Sequence, residues 1–243
     1  MAAPPKPPFK PTATVIANGY TDQEGRDLAE KGGNATVQQL VLALDVIVGL
    51  FEDQGVTCAV MGGLALNFRG STRDTHDVDI TAACDMRTLR QACLSHPRLK
   101  VPIGPGSGVM RVFVHVGPKY GESVAEKWVQ VDIILRGSLG APDDLHGTTE
   151  TVSTKTQQGP KEYVVIDLLR HFQSKLGAFF ARNGKSDFED LVFMCNTYFE
   201  QIAVFRGQLS FAQREHFVRQ FIAQTGIRGR ARAVKLKRLL AVP

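Results

Sequence analysis

The sequence has no Cys-x-x-Cys pair. Its four cysteines, Cys58, Cys84, Cys93 and Cys195, are scattered through apolar surroundings. This argues against a disulfide framework and for reduced thiols, in or near a core, in a reducing compartment. No apolar run is long enough to span a membrane. The N-terminal "MAAPPKPPFKPTATV" has no apolar segment of the signal-peptide kind, and its prolines preclude a helical targeting peptide, so a cytoplasmic location is expected. Internal repeats are absent. Only one tryptophan is present, Trp128, expected to pack in the core. What is there is ordinary globular material: 43% hydrophobic and 22% charged residues over a length of 243 that suits one large domain or two small ones. The net charge of +5 fits a polyanionic partner without requiring one.

Hydrophobic periodicity divides the chain. Residues 1–33, punctuated by proline and glycine, read as a flexible arm. Val37, Leu40, Val41, Leu44, Ile47 and Leu50 follow at helical spacing, with Asn34 as a plausible cap and Gly55 as a stop. "VTCAVM" reads as a strand and "GGLALNFRG" as a turn and short helix. "HDVDITAAC" alternates as a strand, and "DMRTLRQACLSH" is a helix capped by Asp85. "GVMRVFVHVG", "KWVQVDIIL" and "KEYVVI" are further strands. The polar stretch from Leu139 to Gly159 reads as a loop with, at most, a short strand. Helices follow, the last long one opened by a Ser210 and Gln213 capping box. The expected architecture is an α/β core over residues 34–165 and a helical subdomain over 166–243 that ends in a basic tail.

The chemistry concentrates in "VMGGLALNFRGSTRDTHDVDI". In a strand, alternate residues share a face, so Asp77 and Asp79 are neighbours, while Val78 and Ile80 point the other way. Two adjacent carboxylates repel unless a cation lies between them. Magnesium is the natural resident, because it takes hard oxygen ligands and is often shared between carboxylates and substrate phosphates. Asp132, flanked by Val131 and Ile133, supplies a third inward acid. Three carboxylates clamping two metal ions form an apparatus for phosphoryl displacement. Gly62 and Gly63, between strand and helix, let a phosphate approach the backbone, and Arg73 adds a forked cation.

These residues resemble the nucleotidyltransferase superfamily, with its polymerase-beta-like fold. "RDTHDVD" is similar to the family's Arg-x-Thr-x-Asp-hydrophobic-Asp signature, at Arg73, Thr75, Asp77 and Asp79, with the paired glycine before it and the third acid, Asp132, in a later strand. The subgroup it most resembles includes stand-alone abortive-infection-type toxins; some antibiotic nucleotidyltransferases are similar too. "SKLGAFFARNGKSDFEDL" resembles a helical segment of that subgroup at Lys175, Arg182, Asp187 and Asp190. It departs at Ser186, where lysine is usual. The resemblance covers roughly residues 35–195 and implies the following expectations. Asp77, Asp79 and Asp132 hold two magnesium ions. Gly62, Gly63, Arg73, Thr75 and Lys175 hold a nucleoside triphosphate such as ATP. A nucleoside monophosphate passes to an acceptor hydroxyl on RNA or a tRNA end, a protein or a small molecule.

Other readings of the same residues stand beside these. The fold could serve other, tRNA-dependent chemistry or bind nucleotide or RNA without catalysis. Arg73 could pair with Asp74 on the surface, Lys175 could be a solvated lysine, and Asp187 and Asp190 could brace a helix end with Arg182. His76 and His115 read as strand-face residues. His171 reads as structural or as pointing toward the site. The tail "IRGRARAVKLKR", with Arg228, Arg230, Arg232, Lys235, Lys237 and Arg238, could bind RNA phosphates or be a solvated end, and Gly229 weakens any helix there.

Overall fold

Thr21 and Glu24 make a reciprocal cap, Glu24 accepting from the Thr21 N–H at 2.7 Å, and so start a helix in a stretch expected to be loose. The computed structural model describes residues 18–104, 106–156 and 159–243. In it, α1 runs Asp22–Gly32, preceded by a short strand β1, Gly19–Tyr20. The flexible-arm reading is therefore corrected for residues 18–33. The glycines that suggested a loop sit inside or at the end of the helix, and Gly32 lies where a Cβ would be 2.6 Å from the Trp128 carbonyl. Residues 1–17 lie outside the described residues.

The apolar stripe after it forms α2, Val37–Asp53. Its cap is Thr36 with Gln39, not Asn34, and Gly55 follows the helix end with φ 65°. The alternating segments form β2 (Cys58–Met61), β3 (Val78–Ala82), β5 (Val109–Val116), β6 (Lys127–Leu135) and β8 (Gly159–Ile166). The short helix α3 is Gly62–Phe68. Helix α4, Met86–Ser95, is capped by Asp85, whose carboxylate accepts from the Thr88 N–H at 2.7 Å. Besides β1, two strands were not legible as such: β4, Leu99–Pro102, and β7, Thr149–Thr156. The second replaces the expected loop. It is an eight-residue edge strand of mostly polar residues, held by its antiparallel ladder to β8 rather than by an apolar face. The strands make one mixed sheet in the order β1-β4-β5-β6-β3-β2-β8-β7.

One face of this sheet is the core. Val78 and Ile80 of β3, Val112 and Val114 of β5, and Val131 and Ile133 of β6 pack against Leu40, Leu44, Ile47 and Phe51 of α2 and Leu89 of α4, all buried. By strand alternation, Asp79, Arg111 and Asp132 must point to the other face. There the chain adds α5 (Leu168–Arg182), α6 (Lys185–Thr197), α7 (Phe199–Phe205), α8 (Phe211–Thr225) and α9 (Arg230–Leu240). They enclose a second apolar cluster built on Phe172, Phe179, Leu191, Phe217 and Leu236, which Leu66 of α3 joins.

Two expectations in this half change. Ser210 precedes α8, but its hydroxyl caps nothing. Thr21, Thr36, Asp85 and Asp167 cap at ψ between 156° and 167°, whereas Ser210 stands at ψ 125°. The basic tail is not a loose end. It is a packed helix that buries Ala233, Leu236, Leu239 and Leu240. The Arg214 guanidinium donates to the Leu240 carbonyl, satisfying the helix end. Arg232, Lys235 and Arg238, three residues apart, are exposed along one stripe. The side chain of Arg228 lies outside the described residues. Among the described residues, no helix is long and apolar enough to cross a membrane.

Candidate active site

Sheet register builds the site. Met61 pairs with Asp79, Asp79 with Asp132, and Asp132 with Arg111. Residues in register share a face, so these four side chains form a row across β2, β3, β6 and β5. The row floors a cleft of about 940 Å³. Ser174, Lys175, Ala178 and Arg182 of α5 form one wall; Tyr20, Val109 and Leu139 stand on another side. Asp77 enters from the loop just before β3. Asp77, Asp79 and Asp132 each offer a carboxylate oxygen, and these oxygens lie within 4.8 Å of one another. The three acids expected from the sequence thus converge.

The paired glycine makes that convergence possible, each residue in its own way. Gly62 has φ 66°, and a Cβ there would lie 1.9 Å from Asp79 Oδ2. A Cβ on Gly63 would lie 2.5 Å from Thr75 Oγ1 and 2.9 Å from Arg73 Nη2. Gly62 makes room for the acid, and Gly63 makes room for the loop that carries Asp77. Gly62 lines the cleft, whereas Gly63, Arg73 and Thr75 do not. Gly62→Ala is therefore expected to lower stability by about 1–3 kcal/mol, through left-handed backbone strain plus overpacking. It should also displace Asp79. Urea denaturation checks the first effect, and an unchanged midpoint would contradict it.

The cations are held by two buried acids of α6. Arg73 donates to both oxygens of Asp190, at 2.6 and 3.0 Å, and to the main-chain carbonyl of Asp74 at 2.6 Å. Its partner is thus not the Asp74 carboxylate: the side chain ties the Asp77 loop to α6. Lys175 is buried rather than solvated, 2.7 Å from Asp190 and 3.6 Å from Asp187. Arg182 pairs with Asp187 through two bonds, at 2.7 and 3.0 Å, and remains largely exposed on the cleft wall.

Electrostatics follow from this layout. Asp79 opens onto the cleft but sits deep at the centre of the sheet. Burial, reinforced by the charges of Asp77 and Asp132, pushes its carboxyl up to about 7, against the pull of Lys175. His171 is fully buried one helical turn before Lys175. Burial, then the Lys175 and Arg69 charges, hold it well below the ordinary histidine value. It is neutral, so Nε2–H donates to the Gly62 carbonyl at 3.1 Å. It is structural rather than solvent-facing: it does not line the cleft and fixes the backbone of Gly62, which does. His115 is buried and stacks on Trp128, ring centroids 4.5 Å apart, away from the cleft.

Two cleft residues were missed. Arg111 donates to both oxygens of Asp132, at 2.7 and 2.8 Å. Its signal was present: in "VMRVFVHV" it is the charged residue on the face opposite Met110, Val112 and Val114. Tyr20, in the stretch read as an arm, donates its hydroxyl to the Arg111 carbonyl at 2.7 Å.

No protein-family model matches the sequence, and no curated protein does. Solved structures do. An antigenic nucleotidyltransferase-like protein from Paracoccidioides brasiliensis is similar at TM-score 0.53 and 15% identity, over 84% of this chain and 94% of that one. A candidate nucleotidyltransferase from H. pylori is similar at TM-score 0.51 and 15% identity, over the same shares. At such identity the likeness is one of fold. The chain has a nucleotidyltransferase-like fold, as the resemblance implied.

Proposed function

We propose that this chain is a metal-dependent nucleotidyltransferase that moves a nucleoside monophosphate from a nucleoside triphosphate to an acceptor hydroxyl. The observation that carries the reading is the convergence of Asp77, Asp79 and Asp132, with Asp79 and Asp132 on the floor of an open cleft and Asp77 close beside them, within this fold. The residues fit a hard divalent cation. All three donors are carboxylate oxygens, and a cation relieves what holds Asp79 up, its burial first and the charges of Asp77 and Asp132 after it.

Asp77, Asp79 and Asp132 would hold magnesium, with Asp132 on the acceptor side. When bound, the metal would neutralise charge on the reacting phosphates. The chain's own residues do the positioning. Gly62, its carbonyl fixed by His171, leaves space beside Asp79. Lys175 and Arg182 place positive charge on the cleft wall for the triphosphate. Gly63, Thr75 and Arg73 hold the Asp77 loop to α6. The acceptor hydroxyl gives up its proton to solvent, its oxygen forms a bond to the α-phosphorus as the bond to the β-phosphate bridge breaks, and pyrophosphate leaves.

An RNA acceptor is favoured over a small molecule by one feature. Arg232, Lys235 and Arg238 of α9, exposed along one stripe, rim a cleft of about 460 Å³ whose deeper wall is the buried rings of Phe217 and Phe221, so it offers cations for strand phosphates.

Calorimetry with each triphosphate tests the core of the reading. Magnesium and triphosphate should bind together, because the three acids repel a bare triphosphate. Equal affinity in excess chelator would overturn the metal role.

A further inference from the structure

Arg111 has no part in the reaction as described, yet it engages the third acid completely. Its fork donates to both oxygens of Asp132, at 2.7 and 2.8 Å. The pair is built in. Arg111 and Asp132 are register partners across β5 and β6, and the Tyr20 hydroxyl anchors the Arg111 carbonyl. The two side chains differ in exposure: 49% for Arg111 and 15% for Asp132. The arginine can therefore swing into the open cleft without disturbing the core, whereas the aspartate stays in place.

Resting on the metal reading above, we infer that Arg111 is a placeholder counter-ion: it holds Asp132 until a divalent cation takes that carboxylate, and then releases it. Three carboxylates packed this closely repel one another, and one guanidinium cancels a full charge among them. The same guanidinium competes with any cation for Asp132. Charge-assisted, two-bond pairs of this kind are about twice as strong as neutral hydrogen bonds, so the competition is measurable. Arg111 is a positioning residue. It sets when the third acid becomes available and need not touch the reacting atoms.

Manganese serves as the probe, in the absence of nucleotide and acceptor. Binding is measured by the electron paramagnetic resonance of free Mn2+ for the wild type, Arg111→Gln and Arg111→Lys, with thermal melting to confirm folding. Arg111→Gln should bind Mn2+ more tightly, by about tenfold, since it removes a two-bond charged competitor. Arg111→Lys keeps the charge but loses the fork, so it should fall between. It also carries the test if the glutamine variant does not fold. A purely structural arginine predicts the opposite sign: loosening Asp132 weakens Mn2+ binding. Mn2+ affinity in the variants equal to or below that of the wild type overturns the proposal and leaves the metal reading standing. Failure of every protein, wild type included, to bind Mn2+ overturns both.

Discussion

Replacing Asp77 and Asp79 together by asparagine is expected to abolish turnover, by at least about a thousandfold, the scale on which charge-stabilising groups act in phosphoryl transfer. The protein should still fold. Asparagine keeps the shape of each side chain and removes the like charges that face each other and Asp132. The stability effect has a defined pH dependence. Burial first, then Asp77, raises the Asp79 carboxyl from 3.8 to about 7. A group raised on folding favours the folded state fully below its unfolded value, and that contribution is lost as pH climbs through the folded value. Wild type should therefore lose ground to Asp79→Asn between about pH 4 and pH 7 and remain behind above it. Thermal melts of metal-free protein at pH 5 and pH 8 measure the gap. It should widen with pH, and a gap that narrows would contradict the environment assigned to Asp79.

The largest loss of stability should come from Asp190→Ala. Asp190 is fully buried and accepts from Arg73 and Lys175, and Lys175 is itself buried. Removing it leaves Arg73 without its two-bond partner and Lys175 with only Asp187, 3.6 Å away. Breaking a buried ion pair from one side costs about 3–5 kcal/mol, because a charge is left uncompensated. Arg73→Ala should cost less, since Asp190 keeps Lys175. Turnover should fall in both, because the loop that carries Asp77 is no longer tied to α6. Urea denaturation gives the ranking. An Asp190→Ala protein within about 1 kcal/mol of wild type would show that this network does not hold the site.

Local pattern revealed the faces but not the partners. Alternation around Val78 and around Asp132 placed the three acids away from the core, and they converge. The register that aligns Asp79 with Asp132, and Asp132 with Arg111, depends on long-range pairing that no local period encodes. Arg73 and Asp190 meet across 117 residues, so the sequence offered Asp74, the nearest acid, as a partner. The α1 helix was hidden by its glycines, although its capping box was present at Thr21 and Glu24. In α9 the run of arginines and lysines drew attention from the buried Ala233, Leu236, Leu239 and Leu240. The edge strand β7 lacks an apolar face, so only its pairing with β8 marks it as a strand.

The proposed reaction is transfer of the α-phosphorus with departure of pyrophosphate. Its most direct test follows two labels at once, one on the α- and one on the γ-phosphate of each triphosphate, with magnesium and separate RNA, protein and metabolite pools. The α-label should move to a macromolecular or metabolite acceptor, with RNA the favoured pool. The γ-label should leave as pyrophosphate, and both should depend on magnesium and on Asp77 and Asp79. Movement of the γ-label to the acceptor, or equal α-label transfer by the Asp77→Asn and Asp79→Asn double variant, would contradict it.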